Sequence, residues 1–260
     1  MRNIKLIVSD LDGTLLNTNK ALSERTKNAL QECRSRGIKI AYATGRGGSA
    51  ERVAPSEFFD GKITMNGAVA KIGDEIIYNR LIPYETARPI LIACNNQGIK
   101  ITSEVNGMHY TNFHTTDFWA NLTNFEIVDF AKLKIDAEKI YSPNPSAEHK
   151  LFIEQLLPDE LYSVGTYDGT GILLQIMHNE ATKAKAVAAL AQLWNIDTSE
   201  IAAFGDELND LDMLEYAGVG VAMGNALDDV KKISNDVCQS NDDDGVAVWI
   251  ESNILQEEQH

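Results

Sequence analysis

Short apolar runs that end abruptly in small or acidic residues recur at both ends of this chain, with helix-patterned stretches between them. No other feature restricts the fold as strongly. In the first part, Ile4 to Ser9 is rich in β-branched residues and reads as a strand, broken by Asp10-Leu11-Asp12-Gly13. Ser23 is a good N-cap for a helix that carries Leu30 and Cys33 on one face and stops at Gly37. Ile38 to Ala43 is a second strand, ending at Thr44-Gly45-Arg46, and Lys62 to Met65 is a third, ending at Asn66-Gly67. A hairpin with Gly73-Asp74 at its turn follows. The last part repeats the pattern. A helix from Thr182 to Trp194 is followed by a strand at Ile201 to Phe204 that ends in Gly205-Asp206. Next come a helix through Leu211 and Leu214, and a strand at Val219 to Ala222. Strands alternating with helices imply a parallel sheet covered on both faces.

The middle has a different texture. Glu85 to Asn96 is helix-like, Ile99 to Val105 and Gly171 to Met177 are strand candidates, and Pro143 and Pro145 punctuate the stretch. The expected fold class is therefore α/β. A doubly wound, parallel-sheet, Rossmann-like core spans 1–82 and 179–260, with an inserted α+β domain over 83–178. The 260 residues suffice for two cores. No segment approaches the ~20 continuous apolar residues of a membrane span. The start, Met1-Arg2-Asn3-Ile4-Lys5, runs straight into a strand, so a cytoplasmic location is expected. Cys33, Cys94 and Cys238 are scattered and odd in number, which fits core thiols in a reducing compartment rather than a disulfide framework.

Lys and Arg number 23 against 38 Asp and Glu, a formal charge of −15, which disfavours nucleic acid and anionic membranes as partners. The same field repels phosphate esters, so a site for one must supply local cations or helix N-termini. Residues able to do so lie just past predicted strand ends, where a doubly wound sheet places its ligands. Asp10 and Asp12 leave the first strand two residues apart. One carboxylate can attack phosphorus and the other can move protons, although Asp and Gly also simply end strands. Asp206 and Asp210 enter a helix after another strand. They suit a hard cation such as magnesium, or equally an N-cap and a favourable dipole contact. Thr44 offers a hydroxyl and Gly45 an unencumbered N–H. Lys183 opens a helix, where the dipole disfavours a cation and a bound phosphate would justify one. Asn66-Gly67 and Asn209 are weaker donors, and Arg46 is a substrate-binding candidate beside Thr44. The run Asp242-Asp243-Asp244 reads most simply as a solvated loop.

The conjunction carries a resemblance. Asp-x-Asp-Gly-Thr-Leu-Leu at Asp10 to Leu16 closely resembles the first motif of the haloacid dehalogenase superfamily. Thr44 resembles its second motif and Lys183 its third, and Gly-Asp-x-x-Asn-Asp at Gly205 to Asp210 resembles its fourth. Order and spacing match the Cof-type sugar-phosphatase subfamily, whose large α+β cap lies between the second and third motifs. Asn66-Gly67-Ala68, the stretch from Val221 to Ala226, and Asp244-Gly245-Val246-Ala247 are also similar to that subfamily. The insert matches in placement and length only.

The resemblance implies a phosphatase acting on small phosphorylated metabolites through an aspartyl-phosphate. Asp10 would be the nucleophile and Asp12 the general acid/base. Mg2+ would be held by the Asp10 carboxylate, the Asp12 backbone carbonyl and Asp206. Thr44, Gly45, Lys183 and Asn209 would hold the phosphoryl group, and Asp210 would brace the metal shell or Lys183. One departure is Ala184, where the family usually has Gly. A sugar-phosphate mutase would need a basic cluster for a second phosphate, and none is visible. A non-catalytic binding protein would not need Asp10, Asp12, Lys183 and Asp206 together. His109, His114, Tyr167 and Asp168 are candidate substrate selectors in the insert, each read more simply as an ordinary loop or surface residue. Oligomeric state is open.

Overall fold

The computed structural model describes residues 3–167 and 171–256. The chain divides into two compact units, Met1–Asn79 with Thr182–His260, and Arg80–Ala181.

In the first unit, β1 (Leu6–Ser9) is fully buried, as its unbroken apolar run requires. It leads to α1 (Glu24–Ser35), whose N-cap Ser23 accepts from the Thr26 N–H. Then come β2 (Lys39–Ala43), β3 (Gly61–Thr64), β4 (Val69–Ile72) and β5 (Glu75–Asn79). In the second unit follow α2 (Tyr84–Asn96), β6 (Thr102–Val105), β7 (Met108–Thr111) and β8 (Phe125–Ile127). It continues through β9 (Lys139–Pro143), α3 (Ala147–Gln155), β10 (Leu161–Tyr167) and β11 (Ile172–His178). The chain returns to the first unit with α4 (Lys183–Leu193), β12 (Ile201–Gly205), α5 (Leu211–Tyr216) and β13 (Val219–Ala222). The last elements are α6 (Asp228–Ile233), β14 (Asp236–Val237) and α7 (Gly245–Asn253).

The first sheet runs β14-β13-β12-β1-β2-β3-β4-β5. It is parallel from β14 to β3, and the hairpin β4–β5 adds an antiparallel edge. The chain leaves β1 toward β2 on one side and later fills β12 to β14 on the other. The carboxyl ends of β1 and β12 therefore flank the point where strand order reverses, the usual ligand crevice of an open α/β sheet. Leu6, Ile7, Val8, Ile40, Ile63, Val187, Leu190, Phe204 and Val221 belong to one apolar core around this sheet.

The second sheet runs β10-β11-β9-β6-β7-β8, and all its pairings but β7–β8 are antiparallel. Ile140, Leu174 and Ile176 share one face and form a separate core with Ala87, Ile90, Leu91 and Cys94 of α2 and Ile153 of α3. The opposite face carries polar residues, described further below. Among the described residues no helix is long and apolar enough to cross a membrane.

Candidate active site

Asp10 continues the strand ladder one residue past β1, its N–H donating to the Phe204 carbonyl at 3.0 Å. The chain then turns. Leu15 N–H donates to the Asp10 carbonyl at 3.3 Å and Leu16 N–H to the Leu11 carbonyl at 2.8 Å, so Asp10 and Asp12 are held on a tight loop. Gly13 is required there twice over. Its φ is +80°, and a Cβ at this position would lie 2.3 Å from Asp206 Oδ2. The Thr14 hydroxyl donates to Asp206 Oδ1 at 2.7 Å, a contact that ties the β1 and β12 loops together.

Lys183 is the first residue of α4. Thr182 caps the helix by accepting from Lys185 N–H, and Ala184 N–H donates to Asp212 Oδ2 at 3.0 Å. Ala184 is thus fully accommodated where the resemblance leads one to expect Gly. Gly67, at φ +99°, packs so closely on this helix start that a Cβ would meet the Thr182 carbonyl oxygen at 2.1 Å. The Lys183 side chain is not a solvated surface group. It is 1% exposed, and its ammonium lies 2.6 Å from both Asp10 Oδ1 and Asp210 Oδ1. Two carboxylates outweigh the unfavourable helix dipole.

Asp210 is completely buried, and both of its oxygens are engaged. Oδ1 faces Lys183, while Oδ2 accepts from the Asp206 and Glu207 N–H groups at 2.9 and 3.1 Å. The N-cap of this turn is Glu207, not Asp206. Asp210 therefore braces the loop and the lysine, while Asp10 and Asp206 present carboxylates beside it.

Carboxylate oxygens of Asp10, Asp206 and Asp210 lie within 4.8 Å of one another, and all three residues are buried. With all three carboxyls counted as ionised, they and the one ammonium of Lys183 give this cluster a formal charge of −2. Burial is the largest influence on Asp10 and pushes its carboxyl above the ordinary value. Lys183 pulls the other way, and Asp210 and Asp206 add to the rise. Burial likewise pushes Asp206 up to about 6, against the stabilising hydrogen bond from Thr14. Hard oxygen donors, a −2 deficit and carboxyls that resist ionisation together fit a divalent cation of the magnesium type.

Asp12 behaves oppositely. Burial would raise it, but the Arg46 and Lys20 hydrogen bonds prevail and hold the carboxyl at about 2. Arg46 Nε and Nη2 donate to Asp12 Oδ2 and Oδ1 at 2.5 and 2.6 Å, a bidentate fork. The structure thus places Arg46 on Asp12. Thr44 ends β2 with its hydroxyl accepting from the Arg46 N–H at 3.2 Å. Gly45 lies against the Asn66 side chain, whose Oδ1 accepts from Asn209 Nδ2 at 3.0 Å.

Asp10, Asp12, Thr44, Gly45, Arg46, Lys183, Asn209, Asp206 and Asp210 all belong to the first unit, Lys183 at the start of α4 and the others just past the ends of β1, β2 and β12. The insert candidates fare differently. His109 is buried in β7 rather than on a loop, His114 is exposed, Tyr167 ends β10, and Asp168 lies outside the described residues. Sequence reading passed over Thr14 and Asp212 as contacts, and Lys20 altogether. The motif itself signals Thr14. For Lys20 the only signal is a polar turn after Leu16.

This sheet, these strand-end carboxylates and the buried lysine define a hydrolase built for phosphoryl transfer. A family profile described as haloacid dehalogenase-like hydrolase matches residues 7–250. The chain belongs to that family and is a phosphoric monoester hydrolase within it. It is 32% identical to phosphatase YwpJ of Bacillus subtilis, over 94% of this chain and 98% of that one. It is 30% identical to the 5-amino-6-(5-phospho-D-ribitylamino)uracil phosphatase YitU of the same organism, over 94% and 96%. Among solved structures it resembles the subclass IIB sugar phosphatase BT4131, with a TM-score of 0.79, 26% identity and coverage of 95% and 98%.

Proposed function

We propose that this chain is a magnesium-dependent phosphatase of sugar phosphates and similar small phosphorylated metabolites, acting through an aspartyl-phosphate on Asp10. The observation that carries the reading is the buried −2 cluster of Asp10, Asp206 and Asp210 around Lys183. Folding alone gives no reason to bury that imbalance. Magnesium would be held by Asp10, the Asp12 carbonyl and Asp206, and when bound it would let an anionic nucleophile approach an anionic phosphate.

In the first half-reaction an Asp10 carboxylate oxygen bonds to phosphorus while the bond from phosphorus to the leaving oxygen breaks. Once Arg46 has left it for the substrate, Asp12 can carry the proton that it gives to that oxygen, and the alcohol departs. In the second half, Asp12 takes a proton from water as the water oxygen bonds to phosphorus. The bond between Asp10 and phosphorus breaks, which releases inorganic phosphate and restores the carboxylate. The Thr44 hydroxyl, Gly45 N–H, Asn209 amide and Lys183 ammonium hold the phosphoryl oxygens. Arg46 exchanges Asp12 for the substrate. The inserted unit acts as a cap that selects the alcohol part of the substrate.

The names of the relatives support this range, since they include a sugar phosphatase and a phosphatase of a ribityl-uracil ester. The test is hydrolysis of an aryl phosphate and a panel of phosphorylated metabolites, with and without chelator, followed by magnesium re-addition. Loss and recovery of turnover support the reading, and full turnover of a metal-stripped enzyme in excess chelator overturns it.

A further inference from the structure

The loop after the Asp10 motif carries a set of contacts that the proposed chemistry leaves unexplained. Lys20 sits at φ +59°, a left-handed conformation that a lysine adopts only under constraint. The constraint is visible. Asn17 and Ala21 close the turn, with Asn17 N–H donating to the Ala21 carbonyl and Lys20 N–H to the Asn17 carbonyl at 2.8 Å. Asn17 Oδ1 accepts from Ala21 N–H at 3.1 Å. From outside the loop, Asp242 takes the Thr18 N–H on Oδ1 at 2.7 Å and the Thr18 hydroxyl on Oδ2 at 2.6 Å. Asn241 adds a contact from its Nδ2 to the Leu16 carbonyl at 3.0 Å.

The product of this bracing is one contact. The Lys20 ammonium lies 2.7 Å from Asp12 Oδ1. Arg46 also reaches Asp12, but it covers both oxygens, including the Oδ2 that no contact from Lys20 occupies. While both cations stay, three contacts crowd the Asp12 carboxylate, one of them on Oδ2; with both gone, neither oxygen keeps a cation to orient it.

We propose that Lys20 is a positioning residue for Asp12 and that Asp242 holds the loop which delivers it. Lys20 keeps Oδ1 anchored when Arg46 turns to the substrate, so that Oδ2 is the oxygen presented to the leaving group and later to water. The acidic run of residues 242–244 thereby gains a function for its first member. This inference rests on the phosphatase reading and on the assignment of Asp12.

The test is a leaving-group series with magnesium present, from phenyl phosphate to 4-nitrophenyl phosphate, in wild type, Lys20→Met, Lys20→Arg, Asp242→Ala and the double variant Lys20→Met/Asp242→Ala. Proton donation matters most for the poorer leaving group. Lys20→Met is expected to lose about tenfold in kcat on phenyl phosphate, part of the ~10²–10⁴ that such proton transfer supplies, and much less on nitrophenyl phosphate. KM and the unfolding midpoint stay near wild type. Lys20→Arg restores most of the loss. Asp242→Ala shows the same leaving-group bias, and the double variant is no worse than Lys20→Met because the two act through one contact. Equal losses across the series, no loss, or failure of Lys20→Arg to rescue overturns the positioning role while the phosphatase reading stands. Wild type that hydrolyses neither these esters nor any of the panel of phosphorylated metabolites with magnesium overturns both.

Discussion

The loops at the end of β1 and β12 and the polar face of the second sheet both bury charge, but they balance it differently. In the second sheet, register places Glu104 of β6 opposite His109 of β7 on one side and Lys139 of β9 on the other. Lys139 Nζ lies 3.3 Å from Glu104, and His109 Nδ1 shares a 3.0 Å hydrogen bond with the Tyr141 hydroxyl. Burial is the main influence on His109 and keeps it below its ordinary value, hence neutral at pH 7. One anion and one cation remain, so the row closes its own charge. Around Lys183, three carboxylates face one ammonium. These groups are buried too, Lys183 and Asp210 more deeply than any of that row, yet the charge is not closed. A balanced buried pair is explained by folding, whereas an unbalanced cluster implies a missing partner.

The comparison breaks most sharply at Asp10. Asp10→Asn keeps the shape and removes the proposed nucleophile, so steady-state turnover should fall below detection. Persistent normal turnover would place the nucleophile elsewhere. Lys183→Ala should come next. It removes a preorganised cation, for a loss of about 2–4 kcal/mol of transition-state stabilisation. It also leaves Asp10 and Asp210 buried without their partner, so the metal-free protein should lose about 3–5 kcal/mol of stability. A solvated lysine would show neither loss, and denaturant unfolding beside kinetics separates the two effects.

A pH effect of intermediate size follows from Asp206. Its carboxyl titrates near 6 in the metal-free fold, above its ordinary 3.8. Between those values the folded chain holds a proton that the unfolded chain has released. Stability of the metal-free protein should therefore fall as pH rises from about 4 to 6, by up to about 3 kcal/mol. Asp206→Asn should lessen this slope, the raised Asp10 carboxyl supplying the remainder, and magnesium should bind more weakly as pH drops below 6. The smallest effect is expected in the second sheet. Replacing Glu104 and Lys139 together by Gln and Met removes a closed pair, so stability should shift by no more than about 1–2 kcal/mol. The kcat for an aryl phosphate should stay unchanged, and a large loss would place that row in the chemistry.

What was legible in the sequence follows the same divide. The first sheet could be read because β1, β2, β12 and β13 are short apolar runs, and the stops after β1, β2 and β12, at Asp10, Thr44 and Asp206, are site residues. Boundaries moved by one or two residues, as at β3, which is Gly61–Thr64 rather than Lys62 to Met65. The second sheet was read only in fragments. β6 lies inside the strand expected at Ile99 to Val105, but its Thr102, Ser103 and Glu104 side chains are polar yet buried, so the segment itself lacks the apolar alternation that marks a half-buried strand. β7, with His109 and Thr111 buried, was missed for the same reason. Long-range partners were also invisible. Nothing in the spacing of Lys20 points to Asp12, nor of Asp242 to Thr18, because those contacts depend on loops that meet only after the sheet forms.

The central claim is that Asp10 carries the phosphoryl group between two proton transfers by Asp12. An Asp12→Ala variant lacks the base for the second half-reaction, yet a nitrophenyl leaving group needs little protonation in the first. Rapid quenching of a single turnover on 4-nitrophenyl phosphate with magnesium, followed by mass spectrometry of the peptide containing Asp10, measures this directly. The expected result is phosphate on Asp10 that persists because water is not activated. Phosphate on another residue, or release of nitrophenol with no covalent phosphate at any time, would contradict it.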